Sequence, residues 1–390
     1  MSSDVLPLTL LCSVLLALSV IIVCVSRAPS VIRIVALAAL LVQLTFSFAN
    51  QSQGWLRAPD STTYHEQALA LSQGYDPSMF VAGKEGWPTL LSWLYMVAAP
   101  SQYIPLTLNA ALCALMVPLT YRVAENAGRG AGLPAVALLC LQPGWWLWGS
   151  IGVREPIVWV ISLLALWALL RAIVFQQFMA IVAFGVAVVG LAWVRGALAL
   201  ILGVAGAAAL LVSRRPTVTR FMALVLLTPL VAVIVLPQLT QIPALRSGST
   251  NAIQTELSAS RSGFNVGNPA LVALRTGTGP WPWELRSLGP LAIPDMFYIW
   301  VVIILSIAGL AALRMRSALF ALPSLGILAS LAVTSGNYGT MLRLRTQAIL
   351  WLIPLMAVGW QHLGDKRAQR RPPAVSRRRL VHASSRDWPR

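Results

Sequence analysis

Long apolar runs separated by short basic turns dominate the chain. Runs of about 16 to 22 residues fall within 1–26 and near 31–49, 103–123, 131–148, 157–173, 178–193, 197–212, 219–237, 294–313, 317–335 and 346–362. At 1.5 Å per residue a helix of that length crosses a hydrocarbon layer of about 30 Å, whereas a membrane barrel needs alternating segments of about 10 residues. The pattern predicts an all-α polytopic membrane protein with about eleven transmembrane helices, each satisfying its own backbone hydrogen bonds. The first run has no Lys or Arg at its start, and no small-x-small site follows it, so it reads as a retained helix rather than a cleaved leader. Residues 1–30 are thus an extra N-terminal helix before a membrane body of 31–362, and 363–390 form a tail.

Four polar interruptions break the runs, at 50–102, 149–156, 238–292 and 336–345. Within the first, Glu85 to Pro100 holds an apolar stretch of about 13 residues with Trp87, Trp93 and Tyr95, too short to span and suited to lying at the interface. If it does not span, Arg27/Arg33, Arg122/Arg129, Arg171, Arg214/Arg215/Arg220, Arg314/Arg316 and the tail all fall on one side. The positive-inside rule makes that side cytoplasmic. The N-terminus is then outside the cytoplasmic membrane, the C-terminal tail is inside, and all four interruptions face outward. The first becomes a long external loop with juxtamembrane helices.

Composition agrees, with 57% hydrophobic and only 11% charged residues against about 25% charged in soluble domains. The formal charge of +17 resembles a nucleic-acid signal, but 9 of the 29 basic residues lie between Lys366 and Arg390. That Arg-rich, Pro-containing segment reads as disordered and drawn to anionic lipid headgroups, with no nucleic-acid partner. Cys12, Cys24, Cys113 and Cys140 sit inside apolar runs without metal-ligand spacing, so packing is their reading.

Charge that survives in apolar surroundings is the candidate chemistry, since an ionised side chain at the centre of a span costs about 2.5 to 3.5 kcal/mol. Trp55 to Pro100 holds four of the twelve acidic residues, Asp60, Glu66, Asp76 and Glu85, together with His65 and Lys84. Asp60 follows Pro59 and precedes Ser-Thr-Thr, which reads as a helix N-cap with Tyr64 and His65 one turn on. The second turn ends Arg154-Glu155-Pro156 after a Trp-rich stretch; its adjacent charges form either a local ion pair or a binding site. The fourth carries Arg343 and Arg345, whose guanidiniums suit bidentate phosphate binding, with snorkelling to headgroups as the plainer reading. The third, with Arg246, Arg261, Arg275, Glu284 and Arg286, reads as a lid or acceptor-side loop.

These residues carry a resemblance. Asp60-x3-Tyr64-x3-Ala68-x5-Gly74, the Trp87-Pro88 stretch, Asn109 through Tyr121-Arg122, and Pro143 to Ser150 with Glu155 five on are similar to the polytopic glycosyltransferases of the GT-C class. The pattern most resembles those using polyprenyl-phosphate sugars, the protein mannosyltransferases and aminoarabinose transferases. It covers about residues 31–175, and 335–362 loosely. The resemblance implies Asp60 as general base, Glu155 as the second-loop acidic residue that orients substrate or helps bind a metal, and Arg343 and Arg345 on the lipid phosphate. Tyr64, His65, Lys84, Glu85 and Arg154 join Arg343 and Arg345 as candidate substrate-binding residues. Asp60 is followed by Ser61 where many relatives have a second carboxylate, and the second loop offers Arg154-Glu155 rather than two acids, which puts a divalent cation in doubt. The expected donor is a polyprenyl-phosphate sugar and the expected acceptor a lipid, a cell-envelope glycan or a protein. Two rival readings are a polysaccharide polymerase or ligase using lipid-diphosphate oligosaccharides, and a lipid or solute transporter. Charges gathered at one face and the lack of a clear internal repeat speak against the transporter.

Overall fold

The computed structural model describes residues 5–55, 58–75, 85–212, 269–284, 292–334 and 338–370. Lys84, Asp76, the run near 219–237, most of the 238–292 interruption and the chain beyond 370 lie outside the described residues. In chain order the helices are α1 (Val5–Val25), α2 (Ser30–Gln53), α3 (Pro59–Ser72), α4 (Gly86–Val97), α5 (Tyr103–Ala127), α6 (Gly132–Cys140), α7 (Pro143–Gly149), α8 (Glu155–Val174), α9 (Phe178–Val212), α10 (Pro269–Thr278), α11 (Ala292–Leu313), α12 (Ala318–Thr334) and α13 (Tyr338–Arg370). Seven of them, α1, α2, α5, α8, α9, α11 and α13, carry a stretch long and apolar enough to cross a membrane. A shorter apolar segment, Ala318–Ser330, lies in α12. The described chain is a multi-pass helical membrane architecture without a strand.

Where the sequence changes character, the helices break. Arg195 sits inside α9 with extended backbone (φ −156°, ψ 82°). A Cβ placed on Gly206 would come within 2.3 Å of Phe184 Cζ. In an unbroken helix those residues would stand about 33 Å apart. α9 therefore folds back on itself at Arg195 into two antiparallel arms, 178–194 and 196–212, matching the separate apolar runs at 178–193 and 197–212.

The run at 131–148, expected as one span, is instead divided. Gln142 is extended and Pro143 opens α7, because proline can start a helix but cannot continue one. Trp146 Nε1 donates to the freed Cys140 carbonyl at 2.6 Å. α7 packs on α13 so closely that a Cβ on Gly144 would lie 2.1 Å from Thr346 Oγ1.

α11 and α13 run antiparallel with glycines at the contact, Gly309 under the Leu355 carbonyl and Gly359 under that of Leu305. At one end of the bundle Gln361 Nε2 donates to the Arg129 carbonyl at 3.2 Å and Arg33 Nη1 to that of Cys24 at 3.1 Å, so the basic turns gather there. α13 continues through 363–370, a segment expected to be disordered, since Gln, Lys, Arg and Ala readily extend a helix already formed. At the opposite end α2 finishes, α5, α8, α11 and α13 begin, and α9 turns at Arg195. There α3 packs against α4, and α4 against α9 and α5. α4 buries Trp87, Leu91 and Tyr95 and exposes Trp93 and Met96, and a Cβ on Gly86 would lie 2.8 Å from the Trp193 carbonyl beside the α9 turn.

Candidate functional site

Three polar turns converge at that end. Pro59 occupies the first turn of α3 and Ala58 is its N-cap, so Asp60 is not the cap expected from its neighbours. A proline at the first helical position moves the cap one residue upstream, and the Asp60 carboxylate reaches outward instead of back to its own helix. Its Oδ2 accepts from Nη1 of Arg343, in the first turns of α13. Arg343 Nε also lies 2.9 Å from Glu155 Oε1, but off the N–H direction, so that contact is an ion pair rather than a hydrogen bond. Arg195 Nη1, at the turn of α9, donates to the same oxygen at 3.2 Å. One network thus joins residues 60, 155, 195 and 343.

Glu155 opens α8, where the helix dipole favours a carboxylate. The preceding turn is pinned by Asn109 Nδ2, which donates to the carbonyls of Ile151 at 2.8 Å and Val153 at 2.9 Å. Gly152 lets α3 and α5 close over that turn, because a Cβ there would sit 2.9 Å from Ser61 Oγ and 3.4 Å from Pro105. Arg154 does not pair with Glu155, the local reading of those adjacent charges. Its Nη1 donates to the Val194 carbonyl at 2.9 Å, and its guanidinium lies 5.7 Å from the centre of the Tyr64 ring. Arg154 is 4% exposed and has no carboxylate partner among the described residues. Among the described residues the cluster therefore holds two carboxylates and three guanidiniums, a surplus of one positive charge.

The two carboxylates differ in access. The Asp60 side chain is 46% exposed and that of Glu155 is fully buried, with Oε2 lacking a hydrogen-bond partner. Tyr64 stands between α3 and Arg154, its phenol pushed above the usual tyrosine value by burial, against the pull of Arg154, so it is a neutral donor at pH 7.

Other expected site residues lie elsewhere. His65 turns from the cluster and shares a 2.7 Å hydrogen bond between Nδ1 and the Tyr95 hydroxyl, fastening α3 to α4. Burial holds its imidazole below the ordinary histidine value, opposed by Glu66, and likewise raises the Tyr95 phenol. The Glu85 carbonyl accepts from Thr89 N at 3.0 Å and Oγ1 at 2.8 Å at the start of α4. Arg345, expected beside Arg343, points to another face of α13. There it pairs with Asp295 of α11 and donates to the Gly279 carbonyl and, at 3.5 Å, to that of Thr276, closing the C-terminal end of α10. Arg195 was not singled out by its sequence, although a charge between two apolar runs is the signal that marked Arg154.

The fit to a divalent cation is poor: Asp60 and Glu155 both contact Arg343, and Arg195 holds Glu155 as well, so a cation would have to displace guanidiniums. No group of three His, Cys, Asp or Glu is placed to hold a metal among the described residues. Comparison with protein-family models gives no match, and comparison with curated protein sequences gives none either.

Proposed function

We propose that this chain is a membrane glycosyltransferase that moves a sugar from a polyprenyl-phosphate donor to a hydroxyl of a lipid, glycan or protein at the external face of the cytoplasmic membrane. On this reading the bundle has about eleven spans, the N-terminus and the converging turns lie outside, and the tail lies inside. The observation that supports it best is the network Asp60–Arg343–Glu155–Arg195 with Arg154 beside it: an accessible carboxylate next to buried guanidiniums in excess.

In an inverting transfer Asp60 takes the acceptor proton as the hydroxyl oxygen attacks the anomeric carbon. The bond from that carbon to the phosphate oxygen breaks, and its electron pair leaves with the phosphate, held by Arg343, Arg154 and Arg195. A carboxylate bound to arginine is a weakened base. A phosphate competing for Arg343 would release Asp60, tying base strength to the presence of donor. Glu155, buried between Arg195 and Arg343, positions the guanidiniums rather than touching substrate. A donor whose chain lies in the bilayer would enter sideways between helices with its phosphate at headgroup depth.

The test is transfer by the protein in nanodiscs supplied with labelled polyprenyl-phosphate sugars. Asp60→Asn is expected to lose about 10²- to 10⁴-fold while remaining folded. Full activity of that variant removes Asp60 as base. Arg154, which has no carboxylate partner among the described residues, also favours a second reading, transfer from a lipid diphosphate, whose larger charge would use it. In that case activity survives Asp60→Asn and is lost in Arg154→Ala.

A further inference from the structure

α7 brings an aromatic side chain to the network. Its Trp148 lies against Arg343, with the guanidinium carbon 5.9 Å from the centre of the indole ring, a contact that the negative face of an aromatic ring favours. α7 is fixed to α13 beside that contact: Gln142 Nε2 donates to the Thr346 carbonyl at 3.3 Å, and Gly144 lies against Thr346 Oγ1. At its far end Ser150 Oγ donates to the Trp146 carbonyl at 2.9 Å. Trp148 is therefore held relative to Arg343 from both ends of its helix.

The indole nitrogen of Trp148 is buried and has no hydrogen-bond acceptor. A buried N–H left in that state costs about 1 to 3 kcal/mol, and tryptophan usually avoids the cost by finding a partner. Trp87, Trp145, Trp159 and Trp351 share the unpaired nitrogen, but they are fully buried in apolar packing. Of the five, Trp148 alone has a guanidinium over its ring among the described residues. A second donor without an acceptor belongs to the same network, the buried Nε of Arg154, whose Nη1 is occupied by the Val194 carbonyl. The third is Nη1 of Arg343, once Asp60 gives it up. Donors from α7, the 150–154 turn and α13 thus await a ligand that is rich in acceptor oxygens and negatively charged, which describes a phosphate better than an alcohol.

We infer that Trp148 is a phosphate-binding residue of the donor site, its indole N–H donating to an oxygen of the same phosphate that Arg343 holds. The inference rests on the glycosyltransferase reading and adds a neutral donor to its cationic site. Trp148→Phe keeps a ring for Arg343 to lie on and removes only the N–H, so it is expected to raise the Kd for undecaprenyl phosphate, and the KM for the sugar donor, at least tenfold. A residue that merely supports Arg343 by packing gives the opposite pattern, with Trp148→Phe unchanged and Trp148→Leu impaired. That pattern overturns the assignment.

A spectroscopic measurement keeps the test independent of turnover and of how well the variants fold. In phosphatidylcholine nanodiscs holding the full chain with 15N-labelled indoles, the Trp148 N–H resonance is assigned by its absence from Trp148→Phe. Undecaprenyl phosphate is expected to move it downfield, as a new hydrogen bond to an anion does. Undecaprenol, the same chain without phosphate, and phosphatidylglycerol, an anionic phospholipid, should both leave it in place. A resonance that stays still with undecaprenyl phosphate, or moves as far with either control, overturns the assignment. A phosphate-dependent shift in a protein that transfers no sugar overturns the enzyme reading and leaves the phosphate site standing, whereas Asp60-dependent transfer with an unresponsive Trp148 overturns the role of Trp148 alone.

Discussion

Replacing Glu155 by glutamine should damage the fold more than replacing Asp60 by asparagine, although both carboxylates contact Arg343. Glu155 is fully buried and sits 2.9 Å from one guanidinium and 3.2 Å from another. The two guanidinium nitrogens are therefore no more than about 6 Å apart. At an effective dielectric of about 20 their unscreened repulsion is about 3 kcal/mol once the carboxylate is gone. With Arg154 nearby and, among the described residues, Asp60 alone left to balance three guanidiniums, the cost should reach the 3 to 5 kcal/mol typical of breaking a buried ion pair. Asp60 is nearly half exposed, so its pair with Arg343 is worth about 1 kcal/mol or less. Unfolding followed by intrinsic Trp fluorescence in nanodiscs, at fixed lipid composition, measures both. Glu155→Gln/Arg195→Gln should recover most of the loss, because it restores the surplus to a single charge. If Asp60→Asn destabilises as much as Glu155→Gln, or if Arg195→Gln rescues nothing, the assignment of Glu155 as the electrostatic keystone is wrong.

Two further outcomes test the frame around the site. Gly309→Val should loosen the α11–α13 contact by about 1 to 3 kcal/mol, since even a Cβ at Gly309 would lie 2.2 Å from the Leu355 carbonyl, read as a lower unfolding midpoint. His65 has a folded-state pKa below its unfolded value, so the unfolded chain takes up the proton first and stability declines as pH falls from about 6.5 through the folded value. His65→Gln should flatten the fall in thermal midpoint between pH 7 and pH 5, and an unchanged slope would dismiss His65 as its source.

How much of this was legible in the chain differs from residue to residue. The arms at 178–194 and 196–212 were readable because Arg195-Gly196 interrupts the apolar sequence, and the same interruption should have marked Arg195 as a site residue. The division of α6 from α7 was also written, in Pro143, but continuous apolarity around it outweighed one proline. Arg343 and Arg345 looked like a pair only while their turn was taken for a loop. α13 already begins at Tyr338, and residues two apart on a helix point about 200° apart, so the two arginines could not share one ligand. What no local pattern could supply is the partner set, because Asp60 and Arg343 are 283 positions apart and meet only through the packing of α3 against the bundle end.

The placement of the charges at helix ends has a physical reason beyond access. Arg343 lies in the second turn of α13, and Glu155 in the first turn of α8, where the helix dipole favours an anion. Two helix N-termini thus direct positive potential into the space that already holds three guanidiniums. Asp60 and Glu155 offset that potential, and only Asp60 is accessible enough to exchange its place with a ligand. An incoming phosphate would gain the field of both helix ends together with the arginine that Asp60 gives up. On the glycosyltransferase reading, the carboxylate freed by that exchange would be the base that takes the acceptor proton.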